Sequence, residues 1–289
     1  MDFHSPSHWS EALAVKAAVP AASPLMGGTD VMVELNFDRQ RPPALLDLTR
    51  VDELRDWDLA DGRVRLGAAV TYTRVIDELG DRLPGLAMAS RTVGSPQIRN
   101  RGTVGGNLGA ASPAGDAHPP LLASDCEVEV ESVRGVRRIA IADFFTGVKQ
   151  NALEPDELIR AVWVTPSSGP EQFCKIGTRN AMVIAVAAFG LALHPDRKRV
   201  GTGIGSAAPT PRRAPLAERL LADALDEARL WESRGPLPDH LAYAFGEQVK
   251  AAASPIGDVR GTAAYRLHSL SVMARRAAVW AWDDYRRAA

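Results

Sequence analysis

Two short stretches carry residues whose type and spacing could do chemistry: "GGTD" at residues 27–30 and "GTVGGN" at 102–107. Glycine lacks a Cβ, so successive peptide N–H groups can point into one concavity and an anion can approach the main chain closely. Thr29 and Asp30 are residue types that open helices, and a loop leading into a helix start adds the positive end of the helix dipole. Two such glycine tips in one domain suit a pyrophosphate gripped from two sides, whereas either alone reads as an ordinary turn. Asn107, Ser112 and Asp116 follow in the second stretch as polar side chains able to meet the hydroxyls of a dinucleotide. Lys175, flanked by Phe173, Cys174 and Ile176, is out of place in an apolar strand unless its ammonium reaches a polar partner. That partner could be a cofactor oxygen; a solvated lysine on an edge strand fits the same residues.

Competing signatures fail. No G-x-x-x-x-G-K-[ST] phosphate loop is present. "GTGIGSA" at 201–207 imitates a dinucleotide fingerprint, but Ser206 stands at its third glycine and the prolines of "APTPRR" follow where a helix should begin, so it reads as a core strand. The six histidines form no pair at helical spacing with an acid, and no cysteine cluster accompanies them, so no metal site is assigned. There is no G-x-S-x-G elbow and no nucleophile paired with a base, so no catalytic side chain is assigned either.

The composition, 46% hydrophobic and 24% charged over 289 residues, is that of an ordinary globular chain able to bury a sizeable core. A net charge of −1 without basic blocks offers nucleic acid no electrostatic footprint. Cys126 and Cys174 are too few and too far apart for a disulfide framework, and read as buried free thiols of a cytoplasmic protein. The N-terminal residues show no export signal, and the longest apolar run, 181–193, is too short to span a bilayer; it reads as a buried strand or core helix.

Certain elements must position the candidates. Ser7 or Ser10 can cap a first helix over "EALAVKAA" that stops near Pro20. "SPLMGGTDVMVEL" reads as strand, tight loop and helix, and "PALLDL" as another strand. "GRVRLGAAV" alternates as a half-buried strand, followed by a helix that Thr71 can cap. "CEVEVES" alternates with Glu127, Glu129 and Glu131 outward and turns at 134–135 into "VRRIAI", a hairpin. "ELIRAVWV" and "QFCKIGTR" continue the strands, with "PSSGP" at 166–170 between them as a domain boundary. "RVGTGIGSA" is strand-like, and from Pro215 onward the spacing is helical. These elements make an α+β body followed by a small sheet and a helical tail.

Together the stretches and their flanks resemble the FAD-binding, or medium, subunits of the molybdenum hydroxylases, the family of xanthine dehydrogenase and aerobic carbon monoxide dehydrogenase. "PLMGGTDVM" resembles the family's first flavin loop. "SPQIRNRGTVGGNLGAASPAGDAHPPLLASDCEVE" is similar to the second, and "KIGTRNAMVIAVAAFGLAL", "GSAAPTPRRAPLAE" and "GTAAYRLHSLSVMARRA" to the C-terminal domain. The resemblance implies an α+β fold. An FAD-binding domain of the PCMH or vanillyl-alcohol-oxidase type over 1–168, with subdomains about 1–55 and 56–168, precedes a C-terminal domain over 169–289 of three-stranded antiparallel sheet plus helical bundle. FAD would lie extended between the two subdomains. The backbone of Met26, Gly27, Gly28, Thr29 and Asp30, with that of Thr103, Gly105 and Gly106, would hold the pyrophosphate. Asn107 and Asp116 would meet the polar middle of the cofactor, and Gly94 would allow close approach of the chain. Ile159 and Lys175 would sit beside the isoalloxazine, Ile184 would pack near its ring face, and the Lys175 charge would favour the reduced ring. Ala110 departs from the pattern, standing where relatives carry Asn, Thr or His, and Leu108-Gly109 loosens the same turn.

Two cysteines cannot ligate an iron–sulfur cluster, so any cluster must come from another chain. By the resemblance, a large subunit carries molybdopterin and a small one carries [2Fe-2S] clusters, in a heterotrimer that can itself pair. This chain would pass electrons from the flavin to NAD+ or another acceptor. A xanthine dehydrogenase type leads; the flavin subunit of a carbon monoxide, aldehyde or N-heterocycle dehydrogenase, and a free-standing flavin oxidoreductase, are the alternatives.

Overall fold

Alternation of apolar and polar residues builds the strands, and their pairing divides the chain. The structure, a computed structural model, describes residues 1–288; Ala289, the last residue of the expected C-terminal domain, lies outside the described residues. Two compact units emerge, each from three segments: Met1–Val75, Gly94–Ser112 and Cys126–Thr165 form the first, and Ile76–Val93, Pro113–Asp125 and the chain from Pro166 onward form the second.

The first unit holds two sheets. In the smaller, strand Ala44–Asp47 lies between Asp2–His4 and Ser23–Leu25 and runs parallel to both. Helix Trp9–Ala18 joins the two outer strands' segments, as a parallel connection requires. Its cap differs from the expected serine: His8 occupies that position without a side-chain bond, and the Ser7 N–H and hydroxyl instead donate to the Glu11 carboxylate, the N–H at 3.0 Å. The larger sheet is antiparallel, in the order Trp57–Ala60, Arg63–Gly67, Leu158–Val164, Glu127–Ser132, Gly135–Ala140. Val64, Leu66, Val128, Val130 and Val162 are buried on it.

The opposite side of that sheet corrects the picture of outward glutamates. Glu129 is 5% exposed, and Glu127 and Glu131 are half-buried. Trp163 Nε1 donates to Glu129 at 2.6 Å and Arg65 at 3.0 Å, while the Arg138 guanidinium lies 4.0 Å from the Trp163 ring centre. Burial pushes the Glu129 carboxyl up, but these donors outweigh it and hold it below the usual carboxylate range.

In the second unit, strands Glu171–Ile176, Ala187–His194 and Arg199–Gly205 form an antiparallel sheet in sequence order. The apolar run 181–193 is thus a strand in its second part, and "GTGIGSA" is a buried one. Its glycines serve packing: a Cβ on Gly203 would lie 2.0 Å from the Pro119 carbonyl oxygen, so helix His118–Ala123 can rest directly on the sheet. Helices Pro215–Glu227, Asp239–Ala251 and Ala263–Arg287 bury Leu221, Leu225, Phe245, Leu270 and Trp282 with Phe189, Leu191 and Ile204 in one core. A fully buried side chain of this size stabilises by roughly 1.5–3 kcal/mol. Thr262 opens the last helix, its hydroxyl accepting from the Tyr265 N–H at 3.1 Å. Cys126 is buried, whereas Cys174 is only partly so, and burial raises its thiol to about 11. No helix among the described residues is long and apolar enough to cross a membrane.

Candidate functional site: a glycine cradle and a buried ion pair

The first glycine stretch lies where it was expected. Strand Ser23–Leu25 ends, Met26 to Thr29 turn, and Asp30 occupies the cap position of helix Val31–Asn36, although its side chain makes no capping bond. Gly28 has φ +73°, a conformation that favours glycine. A Cβ on Gly27 would lie 2.0 Å from the Arg101 carbonyl oxygen and 3.1 Å from the Gly102 nitrogen, so the two stretches abut backbone to backbone. Among the described residues, no hydrogen bond uses the N–H of Gly27, Gly28 or Thr29.

The second stretch is a helix, not a loop. Thr103 is extended and caps Val104–Ala110, its Oγ1 accepting from the Gly106 N–H at 3.0 Å. The Val104 N–H donates to the Val70 carbonyl and that of Gly105 to the Ala68 carbonyl, each at 3.1 Å. A Cβ on Gly105 would sit 2.6 Å from both the Cβ and the carbonyl oxygen of Ala68. The amides of Gly105 and Gly106 are therefore satisfied inside the protein. Gly105 is buried, its missing Cβ making room for Ala68, whereas Gly106 is exposed and presents no side chain. Leu108 is fully buried and Gly109 is exposed, both within helix Val104–Ala110.

The second unit answers the question of Lys175. It lies on strand Glu171–Ile176 at the edge of the sheet, yet it is not solvated: its side chain is 8% exposed. Lys175 Nζ donates to Asp116 Oδ2 at 2.6 Å and to the Thr92 carbonyl at 3.2 Å, and Thr92 Oγ1 donates to the same carboxylate oxygen at 3.2 Å. Burial pushes the Asp116 carboxyl above its ordinary range, and the lysine opposes that shift. Asp116 Oδ1 is buried and has no partner among the described residues.

Asn107 is partly buried in helix Val104–Ala110, and Ile159 is 8% exposed on strand Leu158–Val164. Gly94 has φ +46°, and a Cβ there would lie 2.8 Å from the Ile98 side chain, so glycine is dictated by local packing. Ile184 is half exposed.

Sequence reasoning missed Glu171, whose carboxylate accepts from the Gly85 N–H at 2.7 Å and the Ser124 hydroxyl at 3.3 Å. Burial raises it to about 7, against the opposing hydrogen bonds from Gly85 and Ser124. Its one available signal is an acid at the start of an apolar strand. No group of three or more His, Cys, Asp or Glu able to hold a metal is found among the described residues.

In the first unit, the consecutive N–H groups of Gly27, Gly28 and Thr29, without acceptors among the described residues, suit a diphosphate. In the second, the orphaned buried oxygen of Asp116 suits a hydroxyl or ring N–H donor. Residues 1–166 match the family described as the FAD binding domain in molybdopterin dehydrogenase. The chain belongs to that family. It is 32% identical over 286 residues to a xanthine dehydrogenase FAD-binding subunit of Escherichia coli O157:H7, covering 95% of this chain and 93% of the relative. It is also 32% identical to a nicotinate dehydrogenase FAD-subunit of Eubacterium barkeri, covering 76% and 78%. A chain of the reconstituted CO dehydrogenase from Oligotropha carboxidovorans superposes with a TM-score of 0.89 at 26% identity, covering 98% of each. This FAD-binding subunit of the molybdenum hydroxylase family is thus an oxidoreductase component with the α+β fold expected of it.

Proposed function

We propose that this subunit is the electron outlet of a heteromeric molybdenum hydroxylase of the xanthine dehydrogenase type, working in the cytoplasm between a [2Fe-2S] partner and NAD+ or another acceptor. A large partner would hold the molybdopterin, and the heterotrimer would pair. The observation that carries this reading is the cradle of unsatisfied amides at Gly27, Gly28 and Thr29. Bound FAD would supply a group that takes up electrons singly and releases them in pairs.

The chain's own residues divide the work of holding it. Met26 and Asp30 flank the donating amides; Gly106 presents an exposed surface without a side chain to the diphosphate, and Thr103 and Gly105 hold that turn in place from inside the protein. Gly94 and Asn107 belong to the same unit's contact with the cofactor. Asp116 Oδ1 accepts from the cofactor's polar middle, Lys175 addresses the ring, and Ile159 and Ile184 exclude water from it. Because Asp116 Oδ2 stands 2.6 Å from Lys175 Nζ, the pair presents the ring with a dipole rather than a full positive charge. The pull of Lys175 on a reduced ring is correspondingly weaker than that of an unpaired lysine.

No group placed here can activate a C–H bond, so the substrate is chosen on another chain. The relatives' names fit: one is a xanthine, one a nicotinate and one a carbon monoxide enzyme. The test is the spectrum of the purified chain titrated with FAD. Stoichiometric uptake with flavin absorbance supports the reading, and a chain that stays colourless overturns it.

A further inference from the structure

The last two long helices of the second unit carry a feature that the cofactor site does not use. Helices Asp239–Ala251 and Ala263–Arg287 pack closely at Gly246, where a Cβ would lie 2.7 Å from the Ser271 carbonyl oxygen. Toward the start of the first helix and the end of the second lies a groove of about 560 Å³. Tyr243 and Trp280 line it and are 58% and 48% exposed. Arg275, Arg276 and His240 line it too, against a single acid, Asp239.

No ion pair or hydrogen bond joins Arg275 or Arg276 to any described residue, and both side chains are exposed, so the groove carries two uncompensated positive charges. An exposed Trp and Tyr beside unpaired arginines is the composition of an interface core, where these residue types carry most of the binding energy.

We propose that this groove seats a partner subunit of the complex through a segment that presents carboxylates to Arg275 and Arg276 and an apolar side chain to Trp280 and Tyr243. The choice of occupant rests on charge complementarity and on the functional reading above, which requires neighbouring chains. A second copy of this chain would bring two more unpaired arginines to the same place, and like charges across an interface oppose its closure.

The experiment co-expresses this chain with its partner subunits and compares Arg275→Glu/Arg276→Glu and Trp280→Ala with the native complex by pull-down and sedimentation. FAD content and melting temperature of the isolated chain are read in parallel. Expected is at least a tenfold loss of partner binding in both variants, with FAD content and melting unchanged, since no assigned cofactor residue lies in the groove. Assembly within twofold of native in the charge-reversed, folded, FAD-containing variant overturns the groove alone. A concentration-dependent dimer of the isolated chain that Trp280→Ala abolishes overturns the choice of partner. Failure of the native chain to take up FAD overturns the functional reading instead, whatever the groove does. Replacing Arg275 and Arg276 by Gln separates charge from bulk: partial binding that rises as salt falls supports the ion-pair contribution, and full binding overturns it.

Discussion

Replacing Gly27 by Ala tests the cradle directly. The new methyl would stand 2.0 Å from the Arg101 carbonyl oxygen, and that oxygen belongs to backbone, not to a flexible side-chain tip. Ordinary contact begins near 3.4 Å, so one of the two abutting stretches must retreat by about 1.4 Å, a strain of roughly 1–3 kcal/mol for overpacking. A retreat of that size takes the Gly27, Gly28 and Thr29 amides out of hydrogen-bond range of a bound diphosphate. Each bond to a charged acceptor is worth about 1.5–3 kcal/mol, so losing one weakens FAD binding by about 10- to 150-fold. Gly109→Ala is the control within the same unit: its nearest neighbour would be Ile159 Cδ1 at 3.8 Å, and the residue lies in helix Val104–Ala110, where Ala is favoured by roughly 0.5–1 kcal/mol. Titration of each folded variant with FAD, followed by quenching of flavin fluorescence, decides the matter. Gly27→Ala should bind at least tenfold more weakly and Gly109→Ala within twofold of native. If Gly27→Ala binds like the native chain, or both variants weaken alike, the diphosphate does not rest on these amides.

The second unit yields two further expectations. Glu171 is raised to about 7 from 4.5, so the folded chain holds a proton that the unfolded chain has released. This group therefore makes stability fall as pH climbs from about 4.5 to 7 and level off above, by at most about 3 kcal/mol at 1.36 kcal/mol per unit. Thermal melts of Glu171→Gln between pH 5 and 8 should lose that part of the slope, and an unchanged slope refutes the assignment. Lys175→Met leaves Asp116 buried without its cation and should destabilise by about 3–5 kcal/mol at neutral pH, whereas adding Asp116→Asn should recover most of it; denaturant melts showing simply additive losses would dissolve the pair.

The sequence makes local structure legible and hides whatever depends on distant strands. Val64 and Leu66 announce their strand because one face of it is apolar, and the spacing after Pro215 announces helices for the same reason. The same alternation misplaces Glu129. Its face is roofed by Arg65, Trp163 and Arg138, which arrive from neighbouring strands and convert an outward acid into the hub of a buried network. Helix Val104–Ala110 is concealed because its three glycines cost about 1 kcal/mol each relative to Ala in a helix interior. Donation to the Val70 and Ala68 carbonyls, and the Thr103 cap, secure the first turn instead. Lys175 is visible as an anomaly, but Asp116 lies 59 residues away and nothing local connects them.

The glycine cradle of the first unit and the ion pair of the second differ in kind. The cradle is main chain, held open by residues that lack side chains, so it discriminates by shape and asks little of amino-acid identity beyond glycine. The Lys175 pair is the reverse: two buried charges, each of which would be costly without the other, joined to Thr92 at the end of helix Pro84–Thr92. Glu171, on the same strand and the same face four residues earlier, accepts from the Gly85 N–H at the other end of that helix. The strand thus grips the helix at both termini, with a carboxyl at the positive end of its dipole and an ammonium at the negative end. Such a clamp fixes the position of Asp116 Oδ1 before any ligand arrives, and a preorganised acceptor loses less on binding than one that must first be ordered.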